Sequence, residues 1–559
     1  MTIDRRKLRW NGWGWSEGSF DLGGREDAVW AWIRDTLGLA SFESRPACSL
    51  ESIDVRPPGL SDAVLDALRE VVGADSVKLD AYERAFHARG RSYADLVYLR
   101  TGDLAVVPDA VVYPRSAQEV LGIVQLANEH QIALVPYGGG SSVVGGVSAL
   151  KADDQAGVIT LDTTLMDRVL EVDGTSKTAT IEAGIYGPKL ERDLGTRGYT
   201  LGHYPQSFEF STLGGWIAAR GAGQQSNRYG KAEEWLVSAR LATPSGFWQT
   251  EAFPASAAGP DLNDLVAGCE GSLGIITEAT VRVHTRPEAR DYRGYLFRDF
   301  GQGVEAMRDV MQHGLPVAMM RLSDGVETNF FSTFSRLRHP AGRVERVAER
   351  ALEVAGWGQG RCMMLVGLEG DARNVEAAAP RTAAMLRRRG GFPLGRKPGD
   401  SWYKNRFAMP YLRDPLLDRG IGVDTLETST HWSNVLRLHR RVIEAIETAL
   451  HEHAASERHR AMVMCHISHC YEDGASLYFT FVFPQAPVGS ELTQWHALKK
   501  AASDAIAEGG GTISHHHGVG TDHAPWLARE KGEIGTGILR AIKHQLDPKG
   551  ILNPGKLIT

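Results

Sequence analysis

Residues 132–143 read IALVPYGGGSSV, an apolar strand that ends in three consecutive glycines and two hydroxyl side chains. Ahead of it stand AVVPDAVVYP (105–114) and the helical pattern SAQEVLGIVQLANEH (116–130). The order is therefore strand, helix, strand, with the glycine turn at the carboxyl end of the second strand. Without side chains at Gly138, Gly139 and Gly140, backbone amides there can close on a pyrophosphate. Taken alone, the loop reads equally well as an ordinary glycine-rich turn. It matches neither the dinucleotide fingerprint GxGxxG nor a Walker loop, which disfavours Rossmann and P-loop folds.

Two later segments repeat the combination of glycine and hydroxyl beside apolar runs, Glu209-Phe-Ser-Thr-Leu-Gly-Gly-Trp216 and Glu270-Gly-Ser-Leu-Gly-Ile-Ile-Thr277. Three such loops imply one large polyphosphate ligand. The strand-like runs GVITL, TATIEAG, WLVSARLATPSG and GIITEATVRV fill the span between them. Beyond about residue 290 the pattern shifts to long helices, Asn374 to Arg389 and Leu436 to Ala455, with strands at Arg361 to Gly367 and Ser476 to Phe483. The class is α+β. We divide the chain into a helical segment (1–95), a glycine-rich domain (96–286), a cap domain (287–500) and a closing segment (501–559) that returns to the ligand site.

Length and composition exclude several classes. At 559 residues the chain exceeds one small core, and roughly three or four units are expected. Glycine supplies 62 residues, about 11% against a usual ~7%, consistent with many close backbone approaches. The formal charge of −6 creates no positive field for nucleic acid. Five cysteines, an odd number spread widely, point to free thiols in a reducing cytoplasm. No apolar run of signal-peptide or membrane-spanning length occurs, so any membrane contact is expected to be peripheral.

The three loops, together with Glu209 to Gly230 (EFSTLGGWIAARGAGQQSNRYG) and Ser514-His-His-His-Gly-Val-Gly520, resemble a known family. It is the FAD-binding oxidases and dehydrogenases of the p-cresol methylhydroxylase and vanillyl-alcohol oxidase type. The likeness extends from the opening Lys7-Leu-Arg-Trp-Asn-Gly-Trp13 to the last residues, and HHHGVG and FSTLGGW are most similar to the alkyldihydroxyacetonephosphate synthase branch. The resemblance implies a two-subdomain FAD-binding domain of the p-cresol methylhydroxylase type with an α+β substrate cap. The FAD would be held by Pro136, Tyr137, Gly138, Gly139, Gly140, Ser141 and Ser142, by Gln206, Ser207, Phe208, Glu209, Phe210, Ser211 and Thr212, by Ala219, Arg220, Gly221 and Ala222, and by Glu270, Gly271, Ser272, Leu273, Gly274, Ile275 and Ile276. No His or Cys lies within Gly138 to Ser142, where some relatives attach flavin covalently, so a non-covalent cofactor is expected.

The same resemblance implies the chemistry. Tyr471, in the pattern Tyr-x-x-Gly-Ala, would carry the proton, and Arg413 would bind substrate phosphate, to which a guanidinium is suited. Arg321, His203 and the triplet His515, His516 and His517 would be catalytic. Around His203 the family segment departs, with Tyr204 and Gln206 in place of two acids. If residues 515–517 are extended, His515 and His517 share one face and His516 takes the other, so one metal ion could not easily hold all three. The run Cys465-His-Ile-Ser-His-Cys-Tyr471 likewise reads as β, dividing its Cys and His between two faces, and no metal is expected.

The implied activity is replacement of the acyl group of acyl-dihydroxyacetone phosphate by a fatty alcohol through a flavin N5 adduct, making the bond of ether lipids, in a homodimer. The alternative is an FAD-linked dehydrogenase or oxidase of a 2-hydroxy acid or alcohol. The closing Asp547-Pro-Lys-Gly-Ile-Leu-Asn-Pro-Gly-Lys556 supports it, being similar to D-lactate dehydrogenase-type enzymes.

Overall fold

The protein is described by a computed structural model covering residues 3–558 except 341 and 359. Three sheets organise it. The first holds four strands in the order Val77–Lys78, Ala110–Val112, Val158–Asp162, Ala133–Tyr137, the last three parallel. Its strand at 110–112 is shorter than the sequence pattern suggests because Pro108 and Pro114 bracket it and cannot donate to a ladder. The helix Asp62–Val72 starts at Ser61, whose hydroxyl accepts from Val64 N–H, and buries Val64, Leu65, Leu68 and Val72. That face packs with the buried side of the helix Ala117–Glu129 over this sheet.

The second sheet is antiparallel: Val169–Asp173, Thr178–Glu182, Ile275–Arg282, Leu236–Thr243, Gly246–Gln249. The third has seven antiparallel strands in the order Phe392–Gly395, Ala289–Phe297, Cys362–Gly370, Met319–Ser323, Met462–Ile467, Gly474–Pro484, Ile421–His431. Period-two alternation divides its residues. Leu477, Phe479, Phe481 and Phe483 point into a core shared with the helices Phe300–Gln312, Val435–Glu452 and Glu491–Glu508. The intervening Tyr478, Thr480 and Val482 face the opposite side, where a cavity separates this sheet from the glycine loops.

The amino-terminal 95 residues are not a separate helical piece. They contribute Val77–Lys78 to the first sheet, and Leu8 and Trp13 to an aromatic cluster with Phe86, Tyr137 and Phe210. At the other end, Leu552 bridges Leu134 in parallel, with Leu134 N–H donating to Ile551 O (2.8 Å) and Asn553 N–H to Leu134 O (2.8 Å).

Candidate active site

The cavity has a volume of about 470 Å³. One wall is the loop 138–142. A Cβ on Gly138 would meet Thr212 Oγ1 at 2.2 Å, and one on Gly139 would meet the Phe210 carbonyl oxygen at 1.8 Å, so backbone packs where side chains would otherwise stand. Gly140 takes φ +67°, a conformation that glycine adopts without steric cost. The amides of Gly139, Gly140, Ser141 and Ser142 donate to no acceptor among the described residues, leaving a row of donors at the cavity. Such a row suits the oxygens of a diphosphate. The fit to the expected dinucleotide is therefore met by this chain's own backbone.

Glu270 ties the second wall together. Its backbone lies at φ +49°, and its carboxylate accepts from Val519 N–H and from Gly520 N–H (2.7 Å). Burial pushes the carboxyl up to about 7, against the two amides and the charge of Lys556, which favour its ionised form. Asn553 Nδ2 spans Glu270 O (2.6 Å) and Gly146 O (3.1 Å). Loops from four parts of the chain are thus joined through Glu270 and Asn553.

The seven-stranded sheet supplies the third wall. Glu427 and His466 sit directly opposite Tyr478 on its two neighbouring strands, so the three share a face. His466 stacks on Tyr478 with ring centroids 4.8 Å apart. Burial raises the Tyr478 phenol to about 12, while a hydrogen bond with Thr425 and the nearby charge of Arg413 pull the other way. His466 Nδ1 lies 2.8 Å from Glu327 Oε1, and Arg321 Nη2 donates to that oxygen (3.1 Å). Burial would raise the Glu327 carboxyl, but His466 and Arg321 together hold it at about 2. The Arg413 guanidinium reaches the cavity with no hydrogen bond or ion pair to any described residue, and burial lowers its affinity for the proton. Beside it an apolar arm opens, lined by Phe330, Phe331, Leu412, Leu416, Met464 and Val482.

The cavity gathers most of the residues expected from sequence: Pro136 to Ser142, Gln206, Ser207, Ser211, Thr212, Ala219, Gly221, Ala222, Glu270, Gly271 and Gly274 to Ile276, with Arg321, Arg413, His516 and His517. Others turn away. Phe210 packs on Trp13 and Trp15, and Phe208 stacks on Phe407. Glu209 lies between them in a short 3-10 turn. Arg220 pairs with Glu233 and Asp264, Ser272 Oγ donates to Cys269 O, and Leu273 is core. His203 is buried between Trp216 and Trp235, off the cavity, where burial pushes its imidazole down to about 3.

Tyr471 and His515 also stand behind the cavity wall, Tyr471 Oη lying 2.5 Å from His515 Nε2. The expected alternation of the triplet is corrected as well. Residues 515–517 form bends, not a strand, so His515 and His516 both turn to Glu427 while His517 faces the Tyr478 ring. The cysteine–histidine run separates similarly: His466 goes to Glu327, His469 to Glu427, and Cys470 to Asn227. Sequence reading passed over Tyr478, Glu427 and Glu327. The alternation Tyr478, Thr480, Val482 against Phe479, Phe481, Phe483 was the available signal for the first.

Comparison with known proteins bears on this arrangement directly. Residues 108–250 match the family model described as FAD binding domain, and residues 286–557 the model described as FAD linked oxidases, C-terminal domain. An alkyldihydroxyacetonephosphate synthase of Trypanosoma brucei brucei is 35% identical over 508 residues, which is 90% of this chain and 81% of the relative. A solved alkyldihydroxyacetonephosphate synthase superposes with a TM-score of 0.82 at 31% identity, covering 99% of this chain and 98% of its own.

The chain belongs to the alkyldihydroxyacetonephosphate synthase family.

As a member of that family it is an FAD-dependent enzyme. A p-cresol methylhydroxylase with substrate bound shares the fold at a TM-score of 0.65 and 15% identity, covering 90% of this chain. The α+β class and the p-cresol methylhydroxylase type of FAD-binding domain expected from sequence are thus both found. Among the described residues, no helix of this family member is long and apolar enough to cross a membrane.

Proposed function

We propose that the protein exchanges the acyl group of acyl-dihydroxyacetone phosphate for a fatty alcohol, giving the alkyl ether of dihydroxyacetone phosphate. The observation that carries this reading is a single cavity that joins three features: a flavin cradle, the unpaired cation Arg413 and an apolar arm. A substrate with one phosphate and one long hydrocarbon chain uses all three, whereas a short 2-hydroxy acid would leave the arm empty. Arg413 binds and orients the phosphate, since a guanidinium offers paired donors to two oxygens. The side chains of Phe330, Leu416 and Val482 exclude water around the chain.

Bound FAD supplies an electrophilic centre that can hold an electron pair reversibly, so the exchange needs no external electron acceptor. We assign proton carriage at the substrate carbon to Tyr478, not to Tyr471, because its phenol lines the cavity beside Arg413. At neutral pH that phenol is protonated. A phenolate formed when it gives up the proton would be stabilised by the Arg413 charge. His517 and His466 fix the ring from two sides, and Glu327 holds Arg321 and His466 in place. The cofactor is expected to be dissociable, as no His or Cys lies in the glycine loop.

The test is anaerobic. Adding acyl-dihydroxyacetone phosphate should bleach oxidised flavin absorbance, and adding a fatty alcohol should restore it with release of fatty acid. Persistent bleaching by a 2-hydroxy acid, reversed only by an electron acceptor, would instead establish the dehydrogenase.

A further inference from the structure

Four ligand-bearing side chains converge from three separate stretches of chain: Glu427 on the edge strand Ile421–His431, His469 just past the strand Met462–Ile467, and His515 and His516 in the loop after the helix Glu491–Glu508. Their ligand atoms all lie within 4.8 Å of one another. His469 Nδ1 and His515 Nδ1 are each 3.4 Å from Glu427 Oε1, and the Nδ1 atoms of His515 and His516 are 3.2 Å apart. His516 Nδ1 touches Glu427 Oε2, which is buried and receives no hydrogen bond of proper geometry. Metal–ligand bonds of roughly 2.0–2.1 Å in a tetrahedron place neighbouring ligand atoms about 3.3–3.4 Å apart. Three of the edges, at 3.2–3.4 Å, are of that size.

We propose that Glu427, His469, His515 and His516 form a binding site for one divalent metal ion of the zinc class. This departs from the sequence-based expectation of no metal, because two of the three consecutive histidines point the same way. The outer contacts are those of a ligand set. His469 Nε2 can only donate to the Gly223 carbonyl (3.0 Å), which leaves its Nδ1 lone pair facing Ser468 Oγ (2.9 Å) and Glu427 Oε1 (3.4 Å). The Ser468 hydroxyl has a single proton, which it can give to that nitrogen or to Glu427 Oε1 (3.2 Å) but not to both, whereas one cation satisfies the two lone pairs together. His515 Nε2 is likewise engaged by Tyr471 Oη, freeing Nδ1 for the centre. Tyr471 is thereby a positioning residue for His515.

Three imidazoles and one carboxylate select zinc and its neighbours over magnesium or calcium, which take oxygen ligands. Four protein ligands close the shell, so the ion holds residues 515–516 against the sheet and fixes the wall that His516 presents to the cavity. The proposal is independent of the acyl-exchange reading, since it concerns binding and not turnover.

The test uses untagged, flavin-loaded protein, stripped with a chelator and then dialysed against zinc chloride. Elemental analysis should find one zinc per flavin, and zinc-edge X-ray absorption should show a first shell of three imidazoles and one oxygen. His469→Asn and Glu427→Gln should abolish stoichiometric zinc, and Tyr471→Phe should weaken binding about 10–100-fold, with flavin content unchanged. Less than half an equivalent in the parent protein overturns the proposal. So does zinc that survives both ligand substitutions at parent affinity, or a first shell containing sulfur or oxygen alone. If the ligand variants do not fold, the stoichiometry and edge spectrum of the parent protein decide.

Discussion

Two tyrosines seven positions apart compete for the role of proton carrier, and their surroundings separate them. Tyr478 points from a strand into the cavity, flanked in register by Glu427 and His466, whereas Tyr471 follows the end of the neighbouring strand and contacts His515 behind the wall. Tyr478→Phe removes one oxygen and keeps the ring that stacks on His466. We expect flavin to stay bound while turnover falls about 10²–10⁴-fold, the usual worth of a positioned acid or base. Tyr471→Phe should cost turnover far less. Steady-state rates of the two variants at matched flavin content check this, and equal losses would place the proton on neither residue alone. The motif Tyr-x-x-Gly-Ala made Tyr471 conspicuous, but local pattern could not reveal where the strand Met462–Ile467 stops. Arg413 was legible because its neighbourhood is a recognisable motif. Glu427 was not, since one of two acids in a strand of mixed polarity, IGVDTLETSTH, has no local signature until its partners arrive from about 40 and 90 residues downstream.

At the scale of elements, the sequence was most legible where one period dominates over a full element. The helix Asp62–Val72 and the helix at 117–129 follow their apolar spacing and their capping serines, Ser61 and Ser116. The glycine loop was legible for a different reason: three missing side chains mark a place where other atoms must come close. Those atoms prove to be the Phe210 carbonyl and the Thr212 hydroxyl, from a segment about seventy residues away. Gly139→Ala should therefore push the loop off Phe210 and misalign the row of amides. The expected outcome is a folded protein with little or no flavin, seen as loss of the visible absorption while far-UV circular dichroism is retained. Full flavin occupancy in this variant would mean that the loop does not bear on the cofactor. The triplet at 515–517 shows the opposite case, because a period-two argument fails once the chain bends at each residue.

For the molecule as a whole, the feature hidden from sequence is that both chain ends close on the same domain. Arg5 contacts Asp162 and His87, donates to Gly138 O (2.5 Å) and reaches Tyr186 Oη (3.3 Å), joining the amino-terminal segment to the glycine loop. Asp162 is fully buried; burial alone would raise its carboxyl, but Arg5 and His87 hold it below the usual range. No local pattern announces such a pair, since an arginine in a basic opening segment reads as a solvated charge. Arg5→Met keeps most of the aliphatic stem but takes the guanidinium from Asp162, which is left with His87 and Thr164, and frees the Gly138 carbonyl. Removing one partner of a buried ion pair costs about 3–5 kcal/mol, because the remaining charge is uncompensated. Urea unfolding should report a loss of that size, accompanied by faster release of flavin. A loss of stability without any change in flavin release would make Arg5 a strut of the domain only. Unchanged stability would show that water or a neighbouring donor already compensates Asp162, and that the amino-terminal residues do not hold the cofactor loop.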